Sequence, residues 1–156
     1  NGRDCNLIHT MYYSKTMNPS ANEAVGFFVC READITIKDF CSMGVFEDGD
    51  LIAGTLYHNY HPEYGVIELS SASVSKRWLT RAVINAMFFL PFTRLGCQLV
   101  VLRVSERNKT MIGIARKFGF SETYIPRLRG RDEGEFIFSL TDDEWSKSPY
   151  NKGVSE

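Results

Sequence analysis

The sequence predicts a single α/β domain, a mixed sheet with helices on its faces. Three observations carry that reading. The stretch "GVFEDGDLIAGTLYHNY" (44–60) is two apolar runs joined at Asp48-Gly49, a pair suited to the positive φ of a tight hairpin turn. The stretch "QLVVLRV" (98–104) is a near-continuous apolar run, the pattern of a central strand covered on both faces. Directly after it, "NKTMIGIARKFGF" (108–120) encodes a helix with both ends marked. Asn108 can cap the first turn, Met111, Ala115 and Phe118 recur at i, i+4 and i+7 as one buried face, and Gly119 can take the left-handed conformation that stops the helix.

The elements follow in order. "LIHTMYYS" (7–14) reads as a strand, "NPSANEAVGFFV" (18–29) as the start of a helix after an Asn18-Pro19 turn, and "ADITIKDFCSM" (33–43) as a loop or short helix. After the hairpin, "YGVIELSSASV" (64–74) is a third strand. It puts Val66, Glu68, Ser70 and Ala72 on one face and Ile67, Leu69 and Ser71 on the other. The polar "SKRWLTR" then leads into a helix whose buried face is Val83, Ala86, Met87 and Leu90, with Pro91 where it should kink or stop. Beyond the strand at 98–104 and the helix at 108–118, "FSETYIPRLRGRDEGEFIFSL" (120–140) reads as two strands around a polar loop. "TDDEWSKSPYNKGVSE" (141–156) reads as a terminal segment of decreasing order.

Composition narrows the function classes. The 156 residues suffice for one domain with a sizeable core, and 44% hydrophobic with 24% charged residues is ordinary for a soluble globular protein. A formal net charge of -1 supplies no global basic field for nucleic acid or an anionic membrane, so a phosphate-bearing partner must be held by a local device. Cys5, Cys30, Cys41 and Cys97 form no C-x-x-C pair and have no histidine at metal-ligand spacing, so they read as reduced thiols of a cytoplasmic protein with no metal site. The longest apolar stretch, "AVINAMFFLPF", is too short to span a bilayer and is broken by Pro91. No signal-peptide pattern opens the sequence as it stands.

The segment "SSASVSKRWLTRAVINAM" is strand, polar loop, helix, an order that turns helix-start amides and the helix dipole toward the loop, where both attract phosphate. Lys76, Arg77 and Arg81 would add direct charge. The segment resembles the pyrophosphate loop of the GNAT acetyltransferase superfamily. "LVVLRVSERNKTMIGIARKFGF" resembles that family's next motif, and "GVFEDGDLIAGTLY" resembles its second and third strands, so the resemblance covers about residues 44–140.

That resemblance implies strands 65–74 and 98–104 that splay apart, with acetyl-CoA entering the gap and the short helix as its far wall. It further implies that the pyrophosphate lies on the amides of residues 79–84, that Asn108 lies near the cofactor arm, and that an amide near Val74 meets the thioester carbonyl. With Val74 at the strand end, Leu79 takes the family's Gln/Arg position and Ala82 and Ile84 its glycine positions, while Arg81 matches a commonly basic one. A shift by two puts Arg77, Thr80 and Ala82 there instead. Val83 completes the helix start in either register, and in both the glycines that allow close backbone approach are missing. "RWLTRAVINAMFFLPFTRLG" looks most like a phage- and prophage-borne branch, whose broader neighbours acetylate the N-termini of ribosomal proteins.

An amine must lose a proton to attack a thioester, and the departing thiolate gains one. Glu68, six residues before Val74, matches the glutamate general base of several family members; alternatively it is a strand carboxylate paired with Arg103 or Lys76. The family's acidic tyrosine falls on Ala115 and the ribosomal branch's serine on Met111, which leaves Ser105, Tyr124 or water as the acid. His58 and His61 line the substrate mouth or are plain surface histidines. In "PRLRGRDEGE", Arg127, Arg129 and Arg131 alternate with acidic residues, as a solvated hairpin end or a contact for an acidic substrate. The implied activity is direct transfer of an acetyl group from acetyl-CoA to the primary amine of a small molecule or peptide, without strong nucleic-acid binding or a membrane, and with homodimerisation an option the family uses. The alternatives are a non-catalytic coenzyme A-binding module and a phage-type modifier of nucleic acid.

Overall fold

The computed structural model describes residues 7–151. Seven strands form one sheet in the order β1-β2-β3-β4-β5-β7-β6. They are β1 (Ile8–Tyr13), β2 (Cys41–Glu47), β3 (Asp50–His61), β4 (Val66–Ser73), β5 (Leu99–Ser105), β6 (Ser121–Ile125) and β7 (Glu135–Thr141). The helices are α1 (Pro19–Ala33), α2 (Arg81–Phe88), α3 (Lys109–Lys117) and α4 (Asp142–Lys147). Among the described strands only β4 and β5 run parallel, with α2 in the crossover between them; every other pairing is antiparallel.

The hairpin β2–β3 turns where the sequence places it, with Asp48 at φ 51° and Gly49 at φ 89°. Helix α3 is also marked as expected: the Asn108 side chain accepts from the Met111 amide at 3.1 Å, and Gly119 follows at φ 82°. Its buried residues are Ala115 and Ile112, with Met111 and Phe118 packed at the margin. The core lies on both faces of the sheet. On one, α2, α3 and α4 cover Val100, Val104 and Phe138; on the other, Val25, Phe28 and Val29 of α1 cover Leu56 and Ala72. Helix α1 comes so close over β3 that a Cβ at Gly54 would lie 2.7 Å from Val25 Cγ1.

Two expectations are corrected and one is made specific. Of the stretch 33–43, Ala33 ends α1 and only 34–40 is irregular; Cys41–Met43 open β2, where Ser42 and Met43 are buried between β1 and β3. Pairing with two neighbours, invisible in local periodicity, decides that segment. The stop or kink expected at Pro91 is a change of helix type: α2 ends at Phe88, just before it. The chain goes on as a π-helical turn, Phe89–Arg94, and the carbonyls of Met87 and Ala86 left without a donor at Pro91 accept from the hydroxyls of Tyr57 (2.7 Å) and Tyr12. Residues 141–151 are ordered: Thr141 and Glu144 form a capping box, and Trp145 is buried against Phe88 with ring centroids 4.9 Å apart. Cys5 and residues 152–156 lie outside the described part. Among the described residues no helix is long and apolar enough to cross a membrane, and no cluster of His, Cys, Asp and Glu suits a metal ion.

Candidate functional site

The register of the sheet makes the site. Strands β4 and β5 pair only at Val66–Leu99, Ile67–Val100 and Glu68–Val101. Beyond Glu68, β4 stays with β3 as far as Ser73, while β5 stays with β7 as far as Ser105. The two therefore splay, and the gap opens next to Glu68. The Val74 amide donates to Ile52 O of β3 at 3.0 Å, so it is not the amide released by splaying. By the alternation of a strand, the amides of Ser71 and Ser73 are the ones aimed into the gap.

Helix α1 packs over β1 to β4 and leaves β5 and β7 uncovered on that face, where a cleft of about 1400 Å³ opens beside Glu68. On the opposite face lies an apolar slot of about 30 Å³ walled by Trp78, Leu79 and Phe118. Leu69, Ser71, Leu102 and Met111 border both, so cleft and slot meet through the strand gap.

Glu68 lies on the cleft floor. One carboxylate oxygen accepts from Asn59 Nδ2 at 2.8 Å, and the other stands 4.0 Å from His58 Nε2, which also bonds Ser70 Oγ at 2.9 Å. Neither Arg103 nor Lys76 is its partner. Burial holds the pKa of His58 below the ordinary histidine value; Glu68 opposes that shift and Arg103 adds to it. A neutral His58 is a proton acceptor within reach of the same site. Its register partner is Glu68 itself, and the signal for it lay in the turn "HPEYG", across which His61 pairs with Val66.

Further along the cleft, Glu135 is buried and receives Arg103 Nε at 2.8 Å and Arg129 Nε at 2.7 Å. Ser105 lines the cleft, but its hydroxyl donates to the Glu133 carboxylate and accepts from the Arg107 amide at 3.1 Å. Asn108 lines it as the cap of α3. Tyr124 is not brought into the cleft. Its hydroxyl donates to Glu106 at 2.6 Å, a bond that raises the phenol's pKa, and its ring packs on Phe136.

At the start of α2, Thr80 is the cap: its Oγ1 accepts from Val83 N at 3.1 Å and its own amide donates to Trp78 O at 2.9 Å. The Ile84 amide closes the first helical bond to Thr80 O. Of the amides at 79–84, those three are committed inside the protein, and that of Ala82 projects from the helix start. The Arg81 guanidinium donates to Pro149 O at 2.6 Å and lies over the Tyr150 ring. Val83 is buried in the core, Leu79 walls the slot, and Val74 is exposed. Lys76 and Arg77 stand exposed on the loop with no ion pair to a described residue.

No protein-family model and no curated protein matches this sequence. Solved structures do. The yncA protein of Salmonella typhimurium, provisionally assigned as an acetyltransferase and solved with its cofactor acetyl-CoA, is similar at TM-score 0.64 and 16% identity over 89% of this chain and 96% of its own. A spermidine N-acetyltransferase of Vibrio cholerae, described as dodecameric, is similar at TM-score 0.61 and 16% identity over 69% of this chain and 68% of its own. A Chromobacterium violaceum protein provisionally assigned to the GNAT family is similar at TM-score 0.58 and 24% identity over 77% of this chain and 64% of its own. At these identities the likeness is one of architecture: the chain has the fold of the GNAT acetyltransferases.

Proposed function

We propose that this chain is an acetyl-CoA-dependent N-acetyltransferase that passes an acetyl group directly to a primary amine, acting as one domain in the cytoplasm. The observation that carries the reading is the gap between β4 and β5, which joins a loop, whose Lys76 and Arg77 have no ion pair to a described residue, to a polar cleft floored by Glu68. The fold neighbours support it, since one of them was solved with acetyl-CoA. The residues fit that cofactor in kind. Lys76, Arg77 and the Ala82 amide suit its phosphates, and the Ser71 and Ser73 amides beside Leu69 and Leu102 suit an arm that alternates amides with alkyl segments. The slot has room for about one water, so Leu79 and Met111 must give way as the arm enters.

Bound there, the cofactor supplies an acetyl group activated as a thioester. The chain's part is to orient that group at the strand gap and to take a proton from the amine at Glu68 Oε or at neutral His58. As transfer proceeds the N–C bond forms and the C–S bond breaks; one proton leaves the nitrogen and one ends on the thiolate sulfur. Water delivers that second proton, since the Ser105 hydroxyl is held by Glu133 and Tyr124 lies outside the cleft. The phage-like and ribosomal-type likeness of "RWLTRAV" belongs to the same proposal.

A second reading, a coenzyme A-binding module without turnover, is favoured by the small slot and by Met111 and Ala115 at the positions where relatives of the resembled family carry their acid. One experiment separates the two. Thiol release from acetyl-CoA is followed over a broad amine panel while coenzyme A binding is measured by calorimetry. Amine-dependent release is expected; binding without release selects the module, and absence of both overturns the two readings together.

A further inference from the structure

The cluster Arg103–Glu135–Arg129 is more than a staple between β5, β7 and the loop before β7. Both guanidiniums reach the buried carboxylate through Nε alone, one on each oxygen. Their terminal nitrogens have no acceptor among the described residues, and the two side chains remain 44% and 29% exposed at the cleft. The cluster holds two positive charges against one negative, with planar forks whose geometry suits a carboxylate. It also has a fixed relation to Glu68. Arg103 lies two residues beyond Val101, the register partner of Glu68, a strand distance of about 7 Å. The cleft is therefore polarised along β5, with Glu68 at one end and the paired arginines at the other.

We propose that Arg103 and Arg129 form a carboxylate-recognition subsite, and that the acceptor is a small amino acid whose amine meets Glu68 while its carboxylate meets the arginine pair. This rests on the acyl-transfer reading for its catalytic arm. Glu135 is the positioning residue: buried and shared, it orients both forks.

The test compares amino acids of short and medium length with their amides and with the matching decarboxylated amines. Two readouts are taken, acetylation kcat/KM and the melting temperature in the presence of coenzyme A. The parent should favour the acid over its amide by about tenfold or more, the lower end of what a charge-assisted bond contributes. The amino acid, and not its amide, should raise the melting temperature. In Arg103→Gln the acid-over-amide ratio should collapse toward one. Arg129→Lys keeps the charge beside Glu135 but loses the fork, so it carries the same expectation if Arg103→Gln fails to fold. A parent that turns over amides as readily as acids, or a ratio that survives both variants, overturns the subsite. If no amine is acetylated but the amino acid alone raises the melting temperature, the subsite stands and the transfer reading falls.

Discussion

Replacing Glu68 by Gln tests the catalytic reading most sharply. The substitution keeps the shape and leaves an oxygen for the 2.8 Å bond from Asn59, so what is removed is the charge and the ability to take a proton. Only 13% of the Glu68 side chain is exposed, which leaves little access for bulk water to replace it. Loss of a positioned general base lowers turnover by roughly 10² to 10⁴. At about 1.4 kcal/mol per factor of ten, that is roughly 3–5 kcal/mol of barrier. The assay is steady-state thiol release across pH, with coenzyme A affinity measured in parallel and expected not to move. If Glu68 is the base, the ascending limb of the parent's pH profile disappears in the variant. If His58 is the base, the limb survives but moves to lower pH, because the Glu68 charge that raises the His58 pKa is gone. A variant that matches the parent in rate and profile refutes both assignments and leaves the proton to water.

Three further outcomes follow from the packing and the titrating groups. Asn108→Ala removes the 3.1 Å cap on Met111 N and should cost about 1 kcal/mol, a fall of about 2–4 °C in Tm; an equal acetyl-CoA-induced rise in parent and variant would show that capping is the residue's whole role. Gly54→Ala places a methyl 2.7 Å from Val25 and 2.9 Å from Val29, so α1 must shift, at a cost of about 1–3 kcal/mol in denaturant unfolding; a neutral result would refute the close approach. Burial lowers the His58 pKa in the fold, so below its ordinary value of 6.5 the unfolded chain takes the proton first. Stability contributed by neutral His58 is complete above that pH and is lost as pH falls through the folded value. His58→Gln should flatten the acid limb of urea midpoints, and an identical limb in the variant would refute the assignment.

Much of the frame was legible because it depends on neighbours close in sequence. Asp48-Gly49 specifies positive φ, Asn108 and Gly119 bound α3, and the alternation in "VIELSSA" sorts Ile67 and Leu69 from Glu68 before any partner strand is known. The start of β2 and the capping box at Thr141 were read less well. Cys41–Met43 are strand because two distant strands flank them, and Trp145 is ordered because Phe88 receives it. The site divides along the same line. Glu68 was singled out by its place in the resembled motif, yet its partners came from the neighbouring strand: Asn59 and His58 across the β3–β4 register, not Arg103 or Lys76.

What the sequence determined by itself is the set of elements with local signals, the strand–loop–helix order around "SKRWLTR", and the strand face that carries Glu68. The tertiary structure alone decided where β4 and β5 part, that the amides aimed into the gap are those of Ser71 and Ser73 and not that of Val74, and that Arg103 and Arg129 share Glu135. The physical reason is contact distance along the chain. Caps, turns and face periodicity are set by residues within a few positions of one another, whereas strand register, burial and the charge around a side chain are set by segments that meet only once the sheet has closed.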